Sequence, residues 1–398
     1  MVVLHPEPSS QRKLQVAKET RRQALSLSAP QRSIRQRFNF SGDLADMTTP
    51  FRRMRSLNSS DVKSWKGSND QEGGAEMTED RPKSPTFGEL YSKLVANVEL
   101  VLKGKRSTIE EVVICLLAGG HLLIEDVPGL GKTTFARSLA ASTQMQWHRI
   151  QFTPDLLPSD VTGNAIFNMK TSEFEFRPGA VFANIVLADE INRASPKTQS
   201  ALLEVMEEGT VTSDRTIYTV PRPFMVIATQ NPIDMDGTSS LPEAQMDRFL
   251  MKISVGYPSA EAEATIIAQE RNGATVENLK PVLTVAEITA MIAYVKQVKS
   301  TPQVDRYIVD LCAATRENNA SRLGASPRGS LALLRSARAS AAIDGRAFVT
   351  PDDVKRMAHA VLTHRVIVKP EAELSGITAK DVVDQAMSSV PVPHALAE

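Results

Sequence analysis

Lys132 and Thr133 follow Gly129 and Gly131 in the stretch HLLIEDVPGLGKTTFARSLA, residues 121–140. The lysine brings one long, mobile positive charge and the threonine one hydroxyl. The glycines let backbone amides turn inward and approach an anion closely. These types at this spacing suit a polyphosphate: Lys132 reaching the β/γ-phosphates, Thr133 joining the shell of Mg²⁺, amides meeting the remaining oxygens. The expected nucleotide-binding stretch is Asp126, Val127, Pro128, Gly129, Leu130, Gly131, Lys132, Thr133 and Thr134, with ATP and Mg²⁺ as ligands. One position departs from the pattern G-x-x-x-x-G-K-[ST], since Asp126 stands where the first glycine belongs. An acid there is unfavourable beside phosphates unless its side chain points away.

Further residues carry chemistry. Asp189 and Glu190 close the apolar run NIVLADE. Asp189, with Thr133, is the expected metal-side pair, and Glu190 is placed to polarise an attacking water. Asn231, held extended by Pro232, can orient the same water or stand as an ordinary turn asparagine. Arg328 follows Ser326-Pro327, a cap and first helical position, so its charge opposes the helix dipole. That cation calls for an anion nearby, either nucleotide phosphate or the acid of a salt bridge. Arg248 reads at the start of a strand, as an internal ion pair or as an arginine supplied to a neighbouring subunit. Arg193 competes for the latter role.

The elements that must position these groups follow from periodicity. Leu122, Leu123 and Ile124 predict a buried strand before the loop, and a helical pattern follows through Phe135, Ala136, Leu139 and Ala140. Ahead of it, Leu90, Leu94, Val98 and Val101 predict one helix. Ser107 to Glu110 reads as the capping box of a second. Further strands are predicted over 147–152, 184–190, 224–229 and 249–255, with hairpins within 160–182 and over 211–220. Ser195-Pro196 predicts a helix running to Gly209. Strands alternating with helices argue for a parallel sheet in which ligands bind beyond the carboxyl ends. After Tyr257-Pro258 only helices are predicted, near 260–271, 285–298, 303–319, 327–344 and 351–363.

Over the whole chain of 398 residues, 46 basic and 46 acidic side chains balance, so net charge selects no partner. Residues 1–85 are poor in apolar side chains. They carry Arg21, Arg22, Arg32, Arg35, Arg37, Arg52, Arg53 and Arg55, and are expected to be disordered: a solvated tail, or an arm for nucleic acid or an acidic partner. Residues 86–258 are the expected α/β nucleotide domain and 259–398 a smaller all-α domain. Cys115 and Cys312 sit in apolar helical patterns as buried thiols of a reducing cytosol. No apolar run has the length of a membrane span, and none has the form of a signal peptide. The six histidines make no metal-binding spacing.

The segments VPGLGKTTFA, VLADEINRASPKTQSALLEVMEEG, VIATQNP, LPEAQMDRF and GASPRG, in this order, resemble the MoxR family of AAA+ ATPases over about Leu94 to Val368. The resemblance implies a P-loop AAA+ core with two β-hairpin insertions and a helical lid. It also implies Walker A at 126–133, Walker B at Asp189 and Glu190, a first sensor at Asn231, an arginine finger at Arg248 and a second sensor at Arg328. Proteins of this family are similar to ring-forming chaperones, so a hexamer, a protein client and a von Willebrand A-domain partner are expected, in the cytoplasm. The rival readings are a DNA-stimulated motor, slightly favoured by the basic arm, and a regulatory scaffold with negligible turnover. The intact set Lys132, Asp189, Glu190 and Asn231 argues against the scaffold.

Overall fold

The computed structural model describes residues 85–127, 129–231, 241–271 and 276–393. The expected tail and basic arm, Pro128 and Pro232 lie outside the described residues.

Helix α1 (Phe87–Glu99) begins at a reciprocal cap. Thr86 accepts the Glu89 N–H at 3.3 Å, and Glu89 accepts the Thr86 N–H at 2.7 Å. Leu90, Leu94 and Val98 are buried along one face, as helical spacing requires. Helix α2 (Arg106–Leu117) corrects the expected cap at Ser107, because its N-cap is Lys105 and no side chain bonds there. The reason is what Lys105 holds. Its Nζ donates to the carbonyls of Val255, Gly256 and Tyr257 at 2.7, 2.9 and 2.8 Å, fixing the chain just before Ser107.

The apolar runs then build a sheet. Strand β1 (Leu122–Glu125) leads through the glycine loop into helix α3 (Lys132–Thr143), and β2 (Trp147–Gln151) follows. A short helix α4 (Pro158–Thr162) carries the hairpin of β3 (Gly163–Asn168) and β4 (Glu173–Pro178). Strand β5 (Ile185–Asp189) and helix α5 (Pro196–Glu208), capped by Ser195, lead to a second hairpin, β6 (Thr210–Ser213) and β7 (Thr216–Thr219). Its turn residues Asp214 and Arg215 both have positive φ, as a tight two-residue hairpin demands. Strand β8 (Met225–Gln230), helix α6 (Glu243–Met246) and β9 (Met251–Ile253) complete this part. The sheet order is β2-β5-β8-β1-β9, every pair parallel. Leu122 to Ile124, Ile185 to Ala188 and Met225 to Ala228 are fully buried, as strands covered on both faces should be. Arg248 does not begin a strand as expected. It lies in the turn between α6 and β9.

Helices α7 (Ala260–Arg271), α8 (Val285–Val295) and α9 (Pro302–Glu317) open the C-terminal part. The expectation of helices alone is corrected there, because β10 (Ser321–Leu323) returns against a later strand. After α10 (Pro327–Ile343) and α11 (Pro351–Leu362), β11 (Ile367–Val368) pairs antiparallel with it. A ribbon this short leaves no readable alternation. Helices α12 (Pro370–Leu374) and α13 (Ala379–Ser389) follow. Helices α9, α10 and α11 each start at Thr or Ser followed by Pro, a pre-formed first turn.

The helical part is bolted to the sheet part by arginines. Arg335 on α10 donates to the Ala118 and Gly119 carbonyls at 2.9 and 2.5 Å, beyond the end of α2. Arg365, buried, bonds Asp247 at 2.8 Å. Cys115 and Cys312 are buried free thiols. Among the described residues no helix is long and apolar enough to cross a membrane.

Candidate nucleotide site

The loop between β1 and α3 depends on its glycines. Gly129 and Gly131 sit at φ +87° and +82°, which a side chain would strain, although space is open around Gly129. Gly131 is the N-cap of α3, so the unpaired amides of the first turn face the loop. An anion there meets both N–H groups and the positive end of the helix. Lys132 opens the helix and folds its Nζ back onto the Asp126 carbonyl, with the Gln230 carbonyl at 3.3 Å. Burial holds its pKa below the ordinary lysine value, offset in part by Asp126, Asp189 and Glu190. A half-buried cation resting on carbonyls is a ready partner for phosphate.

Asp126 does what an acid at this place must do. Its carboxylate turns away from the loop and accepts from Ser254 Oγ at 2.8 Å, the Gly256 N–H at 3.3 Å and the Val255 N–H. As a side chain it is no phosphate ligand. Only its backbone belongs to the loop.

Sheet register brings the remaining carboxyl-end groups together: Glu125 is level with Gln230, and Gln151 with Asp189. Asp189 accepts from Thr229 Oγ1 at 2.6 Å and from Arg149 at 2.6 and 3.1 Å. Glu190 takes a left-handed backbone at φ +55°, costly for a side chain with Cβ. Its N–H donates to Thr229 Oγ1 at 2.9 Å. Its carboxylate accepts from Gln151 and Arg193, each at 2.9 Å. Asn231 is buried directly after β8. Arg149, Gln151 and Thr229 were missed in the sequence. Arg149 and Gln151 alternate on one face of β2 beside β5, the one signal that could have marked them.

Beside the loop lies a cavity of about 450 Å³, bounded by Leu102, Gly129, Gly131, Pro258, Ile266 and Val276. Its mixed walls, with Leu102, Ile266 and Val276 beside Lys103, Arg137 and Glu277, offer a flat base an apolar face and its sugar polar partners next to the loop. The donor set also fits a magnesium ion carried by the nucleotide, since the Thr133 hydroxyl and the Asp189 carboxylate are hard oxygen ligands. Arg149 pairs with Asp189 from the solvent side, its own side chain about half exposed while that of Asp189 is largely covered.

Arg328 and Arg248 are elsewhere. Both pair with Glu207 near the end of α5, Arg328 at 2.5 Å and Arg248 at 3.4 Å. They border a cavity of about 310 Å³ with His121, Arg222 and Leu250. His121 precedes β1 and Leu250 precedes β9, so this is the amino edge of the sheet, roughly 13 Å of strand from the loop. Of the two alternatives for Arg328, the pair with Glu207 is the salt-bridge one. Ser326 Oγ bonds Asp247 at 2.8 Å and docks the start of α10 on the turn carrying Arg248. The anion that the first-turn cation required is the Glu207 carboxylate. Arg193 stays on its own chain's Glu190 at 2.9 Å.

Residues 121–251 match the family described as "ATPase family associated with various cellular activities (AAA)", and residues 313–386 match the AAA lid domain. The chain is 48% identical over 304 residues to the uncharacterised protein YeaC of Bacillus subtilis (strain 168), covering 76% of this chain and 95% of that one. It is 38% identical over 311 residues to the chaperone MoxR1 of Mycobacterium tuberculosis (strain ATCC 25618 / H37Rv), covering 76% and 82% respectively. A crystal structure of a candidate ATPase from Cytophaga hutchinsonii ATCC 33406 superposes with a TM-score of 0.73 at 37% identity, covering 77% of this chain and 96% of that one.

Proposed function

Since this chain belongs to the MoxR family of AAA+ ATPases, we propose that it couples ATP hydrolysis to chaperone-like remodelling of a protein client, working as a ring, with six subunits expected. The observation that carries the ring is the separation of the two charge clusters. Lys132, Asp189 and Glu190 gather at the carboxyl edge of the sheet, while Arg248 and Arg328 meet on Glu207 at the amino edge. A γ-phosphate in transfer needs cations on several oxygens, and the chain's own arginines at this edge, Arg149 and Arg193, are engaged by Asp189 and Glu190. A neighbour's amino edge supplies the rest.

In this reading the backbone amides of 129–134 and the Lys132 side chain bind the phosphates. Thr133 and Asp189 would hold Mg²⁺, which neutralises phosphate charge when bound. Glu190 polarises the attacking water once it leaves Gln151 and Arg193, and Asn231 orients that water. Arg248 and Arg328 act on the neighbour's nucleotide. Residues 86–258 form the nucleotide domain and 259–398 the lid whose angle responds. A von Willebrand A-domain protein is the partner that would present the client.

The test is phosphate release as a function of protein concentration, with sedimentation in ATP. Specific activity should rise as rings form, and neither duplex nor single-stranded DNA should raise it. Full activity from a sedimenting monomer would sink the shared site. Stimulation by DNA would favour a nucleic-acid motor.

A further inference from the structure

The departure at Asp126 has a structural role that the hydrolysis site does not use. The residue is 8% exposed, yet its carboxylate meets three donors of one short segment: Ser254 Oγ, the Val255 N–H and the Gly256 N–H. The same segment is gripped from the other side, where Lys105 Nζ donates to the Val255, Gly256 and Tyr257 carbonyls. Residues 254–257 are the linker between β9 and α7, the passage from sheet to helical part. Gly256 of this linker, with Pro258 just beyond it, lines the same cavity as Gly129 and Gly131.

We propose that Asp126 clamps the phosphate loop to the linker 254–257, which Lys105 holds at its carbonyls from the start of α2, so that filling the loop is transmitted to the start of the helical part. Asp126 is a positioning residue in this scheme. Its N–H donates to the Gln230 carbonyl at 3.2 Å, its own carbonyl accepts from Lys132, and its carboxylate holds the linker. It is bonded at once to β8, to Lys132 and to the linker. Phosphates entering the loop draw Lys132 Nζ off the Asp126 and Gln230 carbonyls. Asp126 loses a cation from one side while the other side remains bonded, so its shift is carried by three hydrogen bonds into the linker. Glycine, the residue the loop pattern expects, builds the loop equally well but cannot accept from the linker. An aspartate carboxylate has the lone pairs for all three donors.

The inference rests on the nucleotide reading of the loop. The experiment uses the full chain, with ADP as probe, and follows hydrogen exchange in the peptide covering 251–260. In the unaltered protein, ADP should change exchange of the linker amides. Asp126→Gly should keep ADP affinity near that of the unaltered protein and lose the exchange response. Its kcat should fall about tenfold with little change in KM, since the loop is intact and the positioning is gone. The clamp is overturned if the linker of Asp126→Gly still responds to ADP, or if that variant cannot bind ADP, which would make Asp126 part of the loop's own scaffold. If Asp126→Gly does not fold, Ser254→Ala removes the hydroxyl bond alone and must show the same loss in smaller measure. A Ser254→Ala protein indistinguishable from the parent overturns the proposal. Undiminished ADP affinity in Lys132→Ala is the separate result that removes the nucleotide reading, and the clamp with it.

Discussion

Glu190 is the residue most at odds with its surroundings. It holds a left-handed backbone beside the last residue of β5, and its carboxylate is occupied by Gln151 and Arg193. Strain at a polar strand end fits a group built to be released onto a substrate. Glu190→Gln keeps the shape, removes the base, and should lower the steady-state phosphate-release rate at least about 10²-fold while ATP still binds. Unchanged turnover would take the water-polarising role away from it. Lys132→Ala should abolish most ATP affinity, read with a fluorescent analogue, because in the proposed site the lysine is the charge that meets the outer phosphates. Near-normal binding would sink the loop assignment. Lys132, Asp189 and Glu190 were legible because an apolar strand ending in acids, after a glycine loop ending in Lys-Thr, is a spacing that chemistry constrains. Arg149 and Thr229 were not, because an arginine or threonine at a strand end looks like solvated surface until register sets it against Asp189.

At the scale of elements, helix caps and strand ends decided what could be read. Ser195-Pro196 and Ser326-Pro327 begin α5 and α10 as expected, since a cap followed by Pro is a local signal. The start of α2 was misread, since Lys105 answers to carbonyls about 150 residues away that no local pattern reveals. His121 is a similar long-range tie. Its Nδ1 accepts the Val226 N–H at 3.0 Å and its Nε2 faces the Met206 carbonyl at 3.0 Å, joining the start of β1 to β8 and to α5. Accepting at one nitrogen and facing a carbonyl with the other requires the neutral ring. Burial pushes its pKa down from 6.5 to about 4, and nearby Arg335 and Arg222 press the same way. His364 is likewise held well below its ordinary value, chiefly by burial and also by Arg365. A histidine whose folded pKa is depressed takes up its proton in the unfolded chain first. Its stabilisation is present above about pH 6.5 and lost as pH falls toward about 4. Urea unfolding at pH 7 and pH 5 should show lower stability at pH 5. His121→Gln should flatten part of that slope, and an unaltered slope in the variant would remove His121 from the account.

Across the whole molecule, the relation between two edges of the sheet was least legible, because sequence order says nothing about where the helical part docks. GASPRG pointed to an anion for Arg328, and the packing of α10 on the turn at Asp247 makes that anion Glu207. A ring closes the gap if each amino edge meets the next subunit's loop, and Glu207 then yields its two arginines to the neighbour's phosphates. Such an arginine is worth about 10³–10⁵ in rate in other phosphoryl-transfer enzymes, so Arg248→Ala should be nearly inactive alone. So should Lys132→Ala, for want of nucleotide. Mixed together, the two should partly recover, because some interfaces would pair an intact loop on the Arg248→Ala subunit with an intact Arg248 on the Lys132→Ala subunit. Arg328→Ala should complement Lys132→Ala in the same way, since Arg328 shares the Glu207 edge. Subunit exchange is checked beforehand by fluorescence transfer between labelled copies. With exchange established, no recovery at any mixing ratio would place both arginines in service of their own chain. Recovery with Arg193→Ala, and none with Arg248→Ala, would move the finger to Arg193 despite its pair with Glu190.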